Sequence, residues 1–164
     1  MMAGLAGTGK TTIGMMLADR LNWTFADADS FHPAANIAKM HAGLPLTEAD
    51  REPWLRSIAC WIDERIAAGE SAVVTCSALK RRYRDLLTGG RPQVRLIFLS
   101  ADRDLLARRL ANRHGHFFPK QLLDSQLDTL EPPQPEEHAI VITPEGTPEQ
   151  TVAEILAALG PPSS

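Results

Sequence analysis

The stretch Gly4-Leu5-Ala6-Gly7-Thr8-Gly9-Lys10-Thr11 decides the fold of this 164-residue chain. It matches the phosphate-binding loop pattern G-x-x-x-x-G-K-[ST], whose glycines let successive backbone N–H groups curl around phosphate oxygens. Lysine at this position reaches the β- and γ-phosphates, and the hydroxyl group that follows, here that of Thr11, ligates Mg²⁺. An amphipathic helix carrying Ile13, Leu17 and Leu21 follows directly, which argues against a chance glycine-rich turn. The loop therefore predicts ATP or GTP binding and leaves the phosphoryl acceptor open.

The residues expected to bind the nucleotide phosphates are those of the loop and the first turn of the helix. They are Gly4, Leu5, Ala6, Gly7, Thr8, Gly9, Lys10, Thr11 and Thr12. Lys10 is also expected to act in catalysis, and Thr11 to be the metal ligand.

Composition narrows the class of protein. The net charge of −3 and the pI near 5.9 argue against a general nucleic-acid-binding role. The sequence contains no apolar run long enough to span a membrane and no secretion signal, so a cytoplasmic enzyme with no membrane partner is expected. Cys60 and Cys76 do not make a disulfide framework, and both are expected to be buried thiols.

Short apolar strands alternate with helical patterns along the whole chain. Strands are predicted at residues 23–27, 72–76, 94–99 and 139–143, and helices at about 11–21, 36–41, 47–69, 80–87, 102–113, 122–130 and 148–159. Near-continuous apolar strands that alternate with helices are typical of a parallel sheet covered on both faces. We expect one α/β domain over residues 1–160 and a disordered tail over 161–164.

An acidic segment follows the strand at 23–27. Asp27 and Asp29 lie where open α/β sheets gather their ligands, at the carboxyl end of a strand. One of these carboxylates is expected to take a proton from an acceptor hydroxyl or to hold water on Mg²⁺, although a solvated loop acid is the alternative. His32, which precedes the rigid Pro33, is a candidate for binding a hydroxyl group.

Two basic clusters supply candidates for anion binding. Lys80 and Arg84 lie four residues apart on one face of a predicted helix, so both are expected to meet the same anion. Arg109 and Arg113 share a face of another helix and are candidates for neutralising the transferring phosphoryl group. An exposed basic helix end remains the alternative for this second pair.

Several longer stretches resemble the gluconate kinases (gluconokinases) of the small P-loop kinase superfamily. They are "GLAGTGKTT", "DADSFHPAANIAKM", "DREPWL", "CSALKRRYRDLL", "RHGHFFPKQLLDSQ" and "TLEP", in the order and at the spacing of that family. Together they cover the chain from Gly4 to about Pro132. The patterns "HP..NI.KM" and "CSALK..YRDLL" are much more specific than the phosphate-binding loop.

The resemblance implies ATP- and Mg²⁺-dependent phosphorylation of D-gluconate on its 6-hydroxyl. It also implies a three-layer P-loop fold of the nucleoside monophosphate kinase type, with five parallel strands in the order 2-3-1-4-5 and a helical lid at about residues 109–126. There are two alternatives: a kinase of another sugar acid or polyol, and a non-catalytic nucleotide-binding module. Relatives are often dimers, so a homodimer is possible.

The resemblance also assigns roles to residues. Asp29, with His32, is expected to hold and activate the acceptor hydroxyl, and Asp29 is a catalytic candidate. Lys80 and Arg84 are expected to bind the carboxylate or hydroxyl groups of gluconate, with Arg51 as a further candidate. The remaining candidates belong to the lid: Arg109 and Arg113 for the phosphates of ATP, with Arg113 also catalytic, and His116 and Gln126 for substrate.

The segment in front of the loop departs from the family. Only Met1, Met2 and Ala3 precede Gly4, whereas members of the family carry several more apolar residues that form the central first strand. We therefore expect the first strand to be a stub. A natural start upstream is the favoured explanation, and a sheet that tolerates the stub is the alternative.

Overall fold

Five short strands form one parallel sheet in the computed structural model, which describes residues 1–112 and 120–161. These strands are β1 (Met2–Gly4), β2 (Thr24–Asp27), β3 (Ala72–Thr75), β4 (Ile97–Leu99) and β5 (Ile140–Ile142). Their order across the sheet is β2-β3-β1-β4-β5, and every neighbouring pair is parallel. The predicted fold class and strand order are confirmed.

Helices connect the strands as predicted, with ends that differ by a few residues. Within the described residues they are α1 (Lys10–Leu21), α2 (Ala34–His41), α3 (Glu48–Ala67), α4 (Arg81–Thr88), α5 (Arg103–Ala111), α6 (Lys120–Thr129) and α7 (Pro148–Leu159). Short 3₁₀ turns lie at Ala28–Phe31 and Pro135–Glu137. Thr47 caps α3 in a capping box with Asp50, which the sequence pattern predicts.

The strand predicted over 94–99 is shorter than expected, and β4 begins only at Ile97. Its ladder with β1 starts where Met2 faces Ile97, and the Ile97 N–H donates to the carbonyl of Met1. Val94 instead closes a turn by donating to the Arg91 carbonyl. Apolar residues extend back to Val94, but the ladders with β1 and β5 start at Ile97, so the strand begins there.

The central strand β1 is the expected stub of three residues. Met2 pairs with Thr75 on one side, while Met2, Ala3 and Gly4 pair with residues of β4 on the other. Both Met2 and Ala3 are completely buried. The strand is short, but it delivers the loop that follows to the carboxyl edge of the sheet.

The alternation of side chains along the strands divides the core between the two faces of the sheet. Ala3, Val74 and Phe98 pack on one face against buried residues of α3 and α4, such as Ile58 and Leu87. On the opposite face Met2, Val73 and Ile97 pack against α1 and α7. The helix residues there include Ile13, Leu17, Val152 and Ile155.

The two cysteines differ in environment. Cys76 is buried, and desolvation raises the pKa of its thiol to about 12. Cys60 is exposed, so the expectation that both thiols are buried is wrong for this residue. It lies on α3 outside the face whose buried residues include Trp54, Ile58 and Ile62. None of the helices in the described part of the chain is long and apolar enough to cross a membrane.

Candidate active site

The phosphate-binding loop connects β1 to α1 at the carboxyl edge of the sheet. Gly9 precedes α1 in a left-handed conformation, with φ of 90°. The hydroxyl of Thr8, which is fully buried, donates to the Leu5 carbonyl at 2.8 Å. Lys10 Nζ donates to the same carbonyl at 2.9 Å and so lies across the loop. These contacts hold the loop in a compact curve ahead of the helix N-terminus.

A cavity of about 650 Å³ opens over this loop, and we call it the phosphate cavity. Its lining consists of Ala6, Gly7, Gly9, Lys10, Thr11, Thr12, Asp27, Asp29, Met40, Thr75, Cys76, Ser77, Arg109, Leu110 and Gln126. Backbone N–H groups at the start of α1 carry the positive end of the helix dipole, which favours an anion there. The cavity therefore combines a lysine, an arginine and a helix N-terminus around one space.

Asp27 lies at the end of β2 and faces the loop. Its Oδ2 accepts a hydrogen bond from the Thr11 hydroxyl at 3.1 Å, and its Oδ1 accepts one from the Asp29 N–H at 2.9 Å. Spacing alone does not distinguish the two aspartates, but their contacts differ. Asp27 contacts the loop through the Thr11 hydroxyl, whereas Asp29 lies in the 3₁₀ turn that follows β2.

A smaller cavity of about 190 Å³ adjoins the first, and we call it the acceptor cavity. Its lining consists of Asp29, His32, Leu46, Arg51, Trp54, Ser77, Ala78, Leu79, Tyr83, Ser125, Gln126 and Thr129. Asp29, Ser77 and Gln126 line both cavities. A group in the acceptor cavity can therefore approach a phosphate at the position of these three residues.

Burial shifts the pKa values of Asp29 and His32, which both line the acceptor cavity. Desolvation and the neighbouring charge of Asp27 raise the pKa of Asp29, while His32 and Lys10 oppose the shift. Desolvation lowers the pKa of His32, Arg51 lowers it further, and Asp29 opposes the shift. A neutral imidazole thus lies beside a carboxylate with increased proton affinity, an arrangement suited to accepting a proton from a hydroxyl group.

A cluster of cations surrounds Glu48 at the outer side of the acceptor cavity. Lys80 Nζ lies 2.9 Å from Glu48 Oε1, Arg51 Nη1 lies 3.7 Å from the same atom, and Arg82 pairs with Oε2. Tyr83 donates its hydroxyl to Glu48 at 2.7 Å. One carboxylate neutralises only part of the charge of three cations, so the cluster keeps a positive surplus. Of the three, only Arg51 lines the acceptor cavity.

Arg84 is not brought into the site, contrary to the expectation that it meets an anion together with Lys80. Its side chain is fully buried and makes a bidentate ion pair with Glu137, at 2.6 and 3.1 Å. It also donates to the carbonyls of Ala78 and Leu79, each at 3.0 Å. Arg84 thus supports the wall of the acceptor cavity, where Ala78 adopts a left-handed φ of 40°.

The pKa of Glu137 reflects both its burial and its ion pair with Arg84. Desolvation alone would raise the pKa of its carboxyl group, but the hydrogen bonds from Arg84 and from the Gln134 backbone outweigh it and lower the pKa. The carboxyl group of Glu137 therefore stays ionised beside Arg84.

Arg109 reaches the phosphate cavity, as expected for a residue that binds phosphates. Its guanidinium donates to the Pro144 carbonyl beyond β5. Arg109 also lines a third cavity, of about 330 Å³, between the loop and the start of α7, together with Gly7, Thr12, Gly146 and Pro148. The predicted site residues Arg113 and His116 lie outside the described residues, as does the whole 113–119 stretch of the predicted lid.

Several residues of the acceptor cavity were not predicted from the sequence. Trp54 and Tyr83 lie in helices that the sequence predicts but have no role assigned from the sequence, and both line the acceptor cavity. Gln126 was a weak candidate, and its Oε1 accepts a hydrogen bond from the Ala6 N–H of the loop at 3.0 Å. The sequence could have indicated this role, because Gln126 is a polar residue on the same helix face as the apolar residues Leu123 and Leu130.

This chain is similar in sequence to one protein family and to known gluconokinases. The family described as "AAA domain" matches residues 1–133. A gluconokinase of Gluconobacter oxydans (strain 621H) is 46% identical over 153 residues, which cover 93% of this chain and 86% of that protein.

Two solved structures are similar over almost the whole chain. A sugar kinase from Janibacter sp. HTCC2649 superposes with a TM-score of 0.87 at 47% identity, covering 96% of this chain and 91% of that one. A gluconokinase from Sinorhizobium meliloti 1021 superposes with a TM-score of 0.84 at 41% identity, covering 96% and 89%.

Proposed function

The chain belongs to the gluconokinase family, and we propose that it transfers the γ-phosphate of ATP to the 6-hydroxyl of D-gluconate. The products are 6-phospho-D-gluconate and ADP, formed in the cytoplasm. One observation carries the proposal: the phosphate cavity opens into an acceptor cavity that offers a carboxylate, an imidazole and an arginine. A module that only bound nucleotides would need no such second cavity.

The nucleotide occupies the phosphate cavity and the third cavity beside it. The N–H groups of the loop and Lys10 bind the β- and γ-phosphates, and Arg109 adds a further positive charge. The adenine base lies in the third cavity, between Arg109 and the segment from Pro144 to Pro148. The segment that follows β5 thus forms part of the adenine site.

The donor set at the loop suits Mg²⁺, because this ion prefers oxygen ligands and keeps several waters. Thr11 Oγ1 and Asp27 Oδ2 are 3.1 Å apart, so a hydroxyl group and a carboxylate already face the same point. Thr11 would ligate the ion and Asp27 would hold one of its waters. Bound there, the ion neutralises charge on the β- and γ-phosphates.

Asp29 is the residue that activates the acceptor. It lines both cavities, so its carboxylate lies where an acceptor hydroxyl would meet the γ-phosphate. Its raised pKa strengthens its ability to take the hydroxyl proton as the oxygen attacks phosphorus. Phosphoryl transfer depends on positioning and charge neutralisation more than on covalent catalysis, and this arrangement supplies both.

The anionic end of the acceptor extends towards the cation cluster. Arg51 lines the acceptor cavity on the side of Glu48, where the surplus of positive charge attracts a carboxylate. A linear sugar acid held at this end presents its far hydroxyl to Asp29. The combination favours an acidic polyol over a neutral one.

A coupled assay of ADP release tests the proposal directly. The full chain is mixed with ATP, Mg²⁺ and one acceptor at a time: D-gluconate, another sugar acid, the corresponding neutral polyol, or no acceptor. We expect ADP release to depend on D-gluconate and the phosphate to appear on its 6-oxygen in the ³¹P spectrum of the product. Turnover with a different acceptor only, or ATP binding without any turnover, would contradict the proposal.

A further inference from the structure

Asn36, on α2, is one of the few buried polar residues near the acceptor cavity, with 3% of its surface exposed. Its Nδ2 donates to the Asp50 carbonyl at 2.9 Å and lies 3.3 Å from His32 Nδ1. The two contacts join three segments: α2, the start of α3 and the turn that carries His32. No role in the reaction described above involves this side chain.

The contact with Asp50 fixes the orientation of the Asn36 amide. A backbone carbonyl only accepts hydrogen bonds, so the atom that faces it is the amide nitrogen. The second N–H of this nitrogen is then directed to His32 Nδ1, which must be an unprotonated acceptor. In a neutral imidazole the proton consequently lies on Nε2.

The plane of the His32 ring is fixed independently. The ring stacks on Trp54, with centroids 4.3 Å apart and an angle of 13° between the planes. Trp54 is itself held by a hydrogen bond of 2.7 Å from its Nε1 to the Ala28 carbonyl. With one ring face on Trp54 and Nδ1 on Asn36, the edge that carries Nε2 is the one left for the acceptor cavity that His32 lines.

We propose that Asn36 is a positioning residue that makes His32 a hydrogen-bond donor, through Nε2–H, to an oxygen of the acceptor. The role of the donor rests on the proposed function, since it needs a hydroxylated acceptor in the cavity. His32 then does not compete with Asp29 for the proton of the hydroxyl group. One side chain orients the acceptor oxygen and the other removes its proton.

Nitrogen-15 NMR of the histidine rings tests the tautomer without any substrate. In the wild-type chain at neutral pH, we expect His32 to show an unprotonated Nδ1 and a protonated Nε2. In Asn36→Asp the carboxylate accepts from the ring, so the proton should move to Nδ1. A wild-type His32 protonated on Nδ1, or an equal mixture of tautomers, would overturn the inference even if the acceptor is not gluconate.

Steady-state kinetics tests the consequence for the acceptor. Asn36→Ala and Asn36→Asp should each lower kcat/KM for gluconate by about tenfold, as for one lost hydrogen bond, with KM for ATP within about twofold of the wild type. In a His32→Ala background, Asn36→Ala should have less than about a twofold further effect. A further tenfold loss in that background would show that Asn36 does not act through His32.

Lys39→Met is the matched control for the tether between α2 and α3. Lys39 pairs with Asp50 at 2.7 Å and has no contact with His32, so this variant weakens the same helix–helix link. We expect its kcat/KM for gluconate to stay within about twofold of the wild type. A loss equal to that of Asn36→Ala would mean that Asn36 only fastens α2, and the inference would fail.

Discussion

The phosphate cavity and the acceptor cavity meet at Asp29, but they are built from different parts of the chain. The largest continuous part of the phosphate cavity's described lining is the segment from Ala6 to Thr12, and much of its binding capacity lies in backbone N–H groups. The acceptor cavity is lined by side chains from α3, α4, α6 and the turns after β2 and β3. Of its charged side chains, Arg51 pairs with Glu48 on the same helix.

The difference has consequences for substitution. A backbone cradle depends on its glycines for shape and on its single lysine for charge, because no other side chain of the loop carries a positive charge. In the acceptor cavity several side chains contribute, and His32, Arg51 and Trp54 are held by partners outside the cavity. Single changes there should range from severe at Asp29 to slight at the outer cations.

The largest effect is expected for Lys10→Ala. Loss of this ammonium removes the positive charge beside the transferring phosphoryl group, so kcat should fall by a factor of about 1,000 or more. Turnover is measured by the ADP-release assay, and folding by thermal unfolding. Arg20→Ala removes an equal charge from the exposed end of the same helix and should leave kcat unchanged. A Lys10→Ala variant with more than a tenth of wild-type turnover would contradict the assigned role.

The second effect in size is expected for Asp29→Asn. The amide cannot take the hydroxyl proton, so kcat should fall by about 100- to 1,000-fold while ATP affinity, measured by calorimetry, changes little. Because the pKa of Asp29 is raised, wild-type turnover should fall as the pH drops through a value above the ordinary range of aspartate. Asp29→Asn should lose this acid limb.

Asp27→Asn provides the contrast at the neighbouring carboxylate. We expect it to raise the Mg²⁺ concentration needed for half-maximal rate and to keep the acid limb. The assignment of the two aspartates would be reversed if Asp27→Asn removed the acid limb and Asp29→Asn changed the Mg²⁺ requirement.

The two cavities also differ in how far their features could be predicted from the sequence. The loop and the parallel α/β sheet could be predicted because they depend on local spacing and on the alternation of strands and helices, whereas the strand order and the choice of Asp29 came from the family resemblance. The fate of Arg84 could not be predicted, since its partner Glu137 lies 53 positions along the chain and no spacing rule connects them. Helical periodicity places Lys80 and Arg84 together, but Lys80 lies ahead of the first turn of α4 and Arg84 faces the core.

Arg84→Met should mainly change stability. It leaves Glu137, whose side chain is 4% exposed, as an unpaired buried carboxylate, and breaking a buried pair in this way costs about 3–5 kcal/mol. Urea unfolding measures the loss. The double variant Arg84→Met/Glu137→Gln should lose less, because no carboxylate remains unpaired. Arg56→Met, at an exposed pair with Glu52, is the control and should cost under about 1 kcal/mol. Equal losses for Arg84→Met and Arg56→Met would exclude a supporting role for Arg84.

The smallest effect is expected for Lys80→Met. Lys80 contacts Glu48 and does not line the acceptor cavity, so its loss acts on the acceptor only through the charge of the cluster. Without Lys80, Glu48 is free to pair more closely with Arg51, and KM for gluconate should rise by about two- to fivefold, as for an exposed ion pair. Both kcat and KM for ATP should stay unchanged. Adding Glu48→Gln should reverse the rise, because it frees Arg51 for the acceptor carboxylate. An increase in KM above about tenfold that Glu48→Gln does not reverse would instead indicate that Lys80 binds the acceptor directly, as the sequence alone predicts.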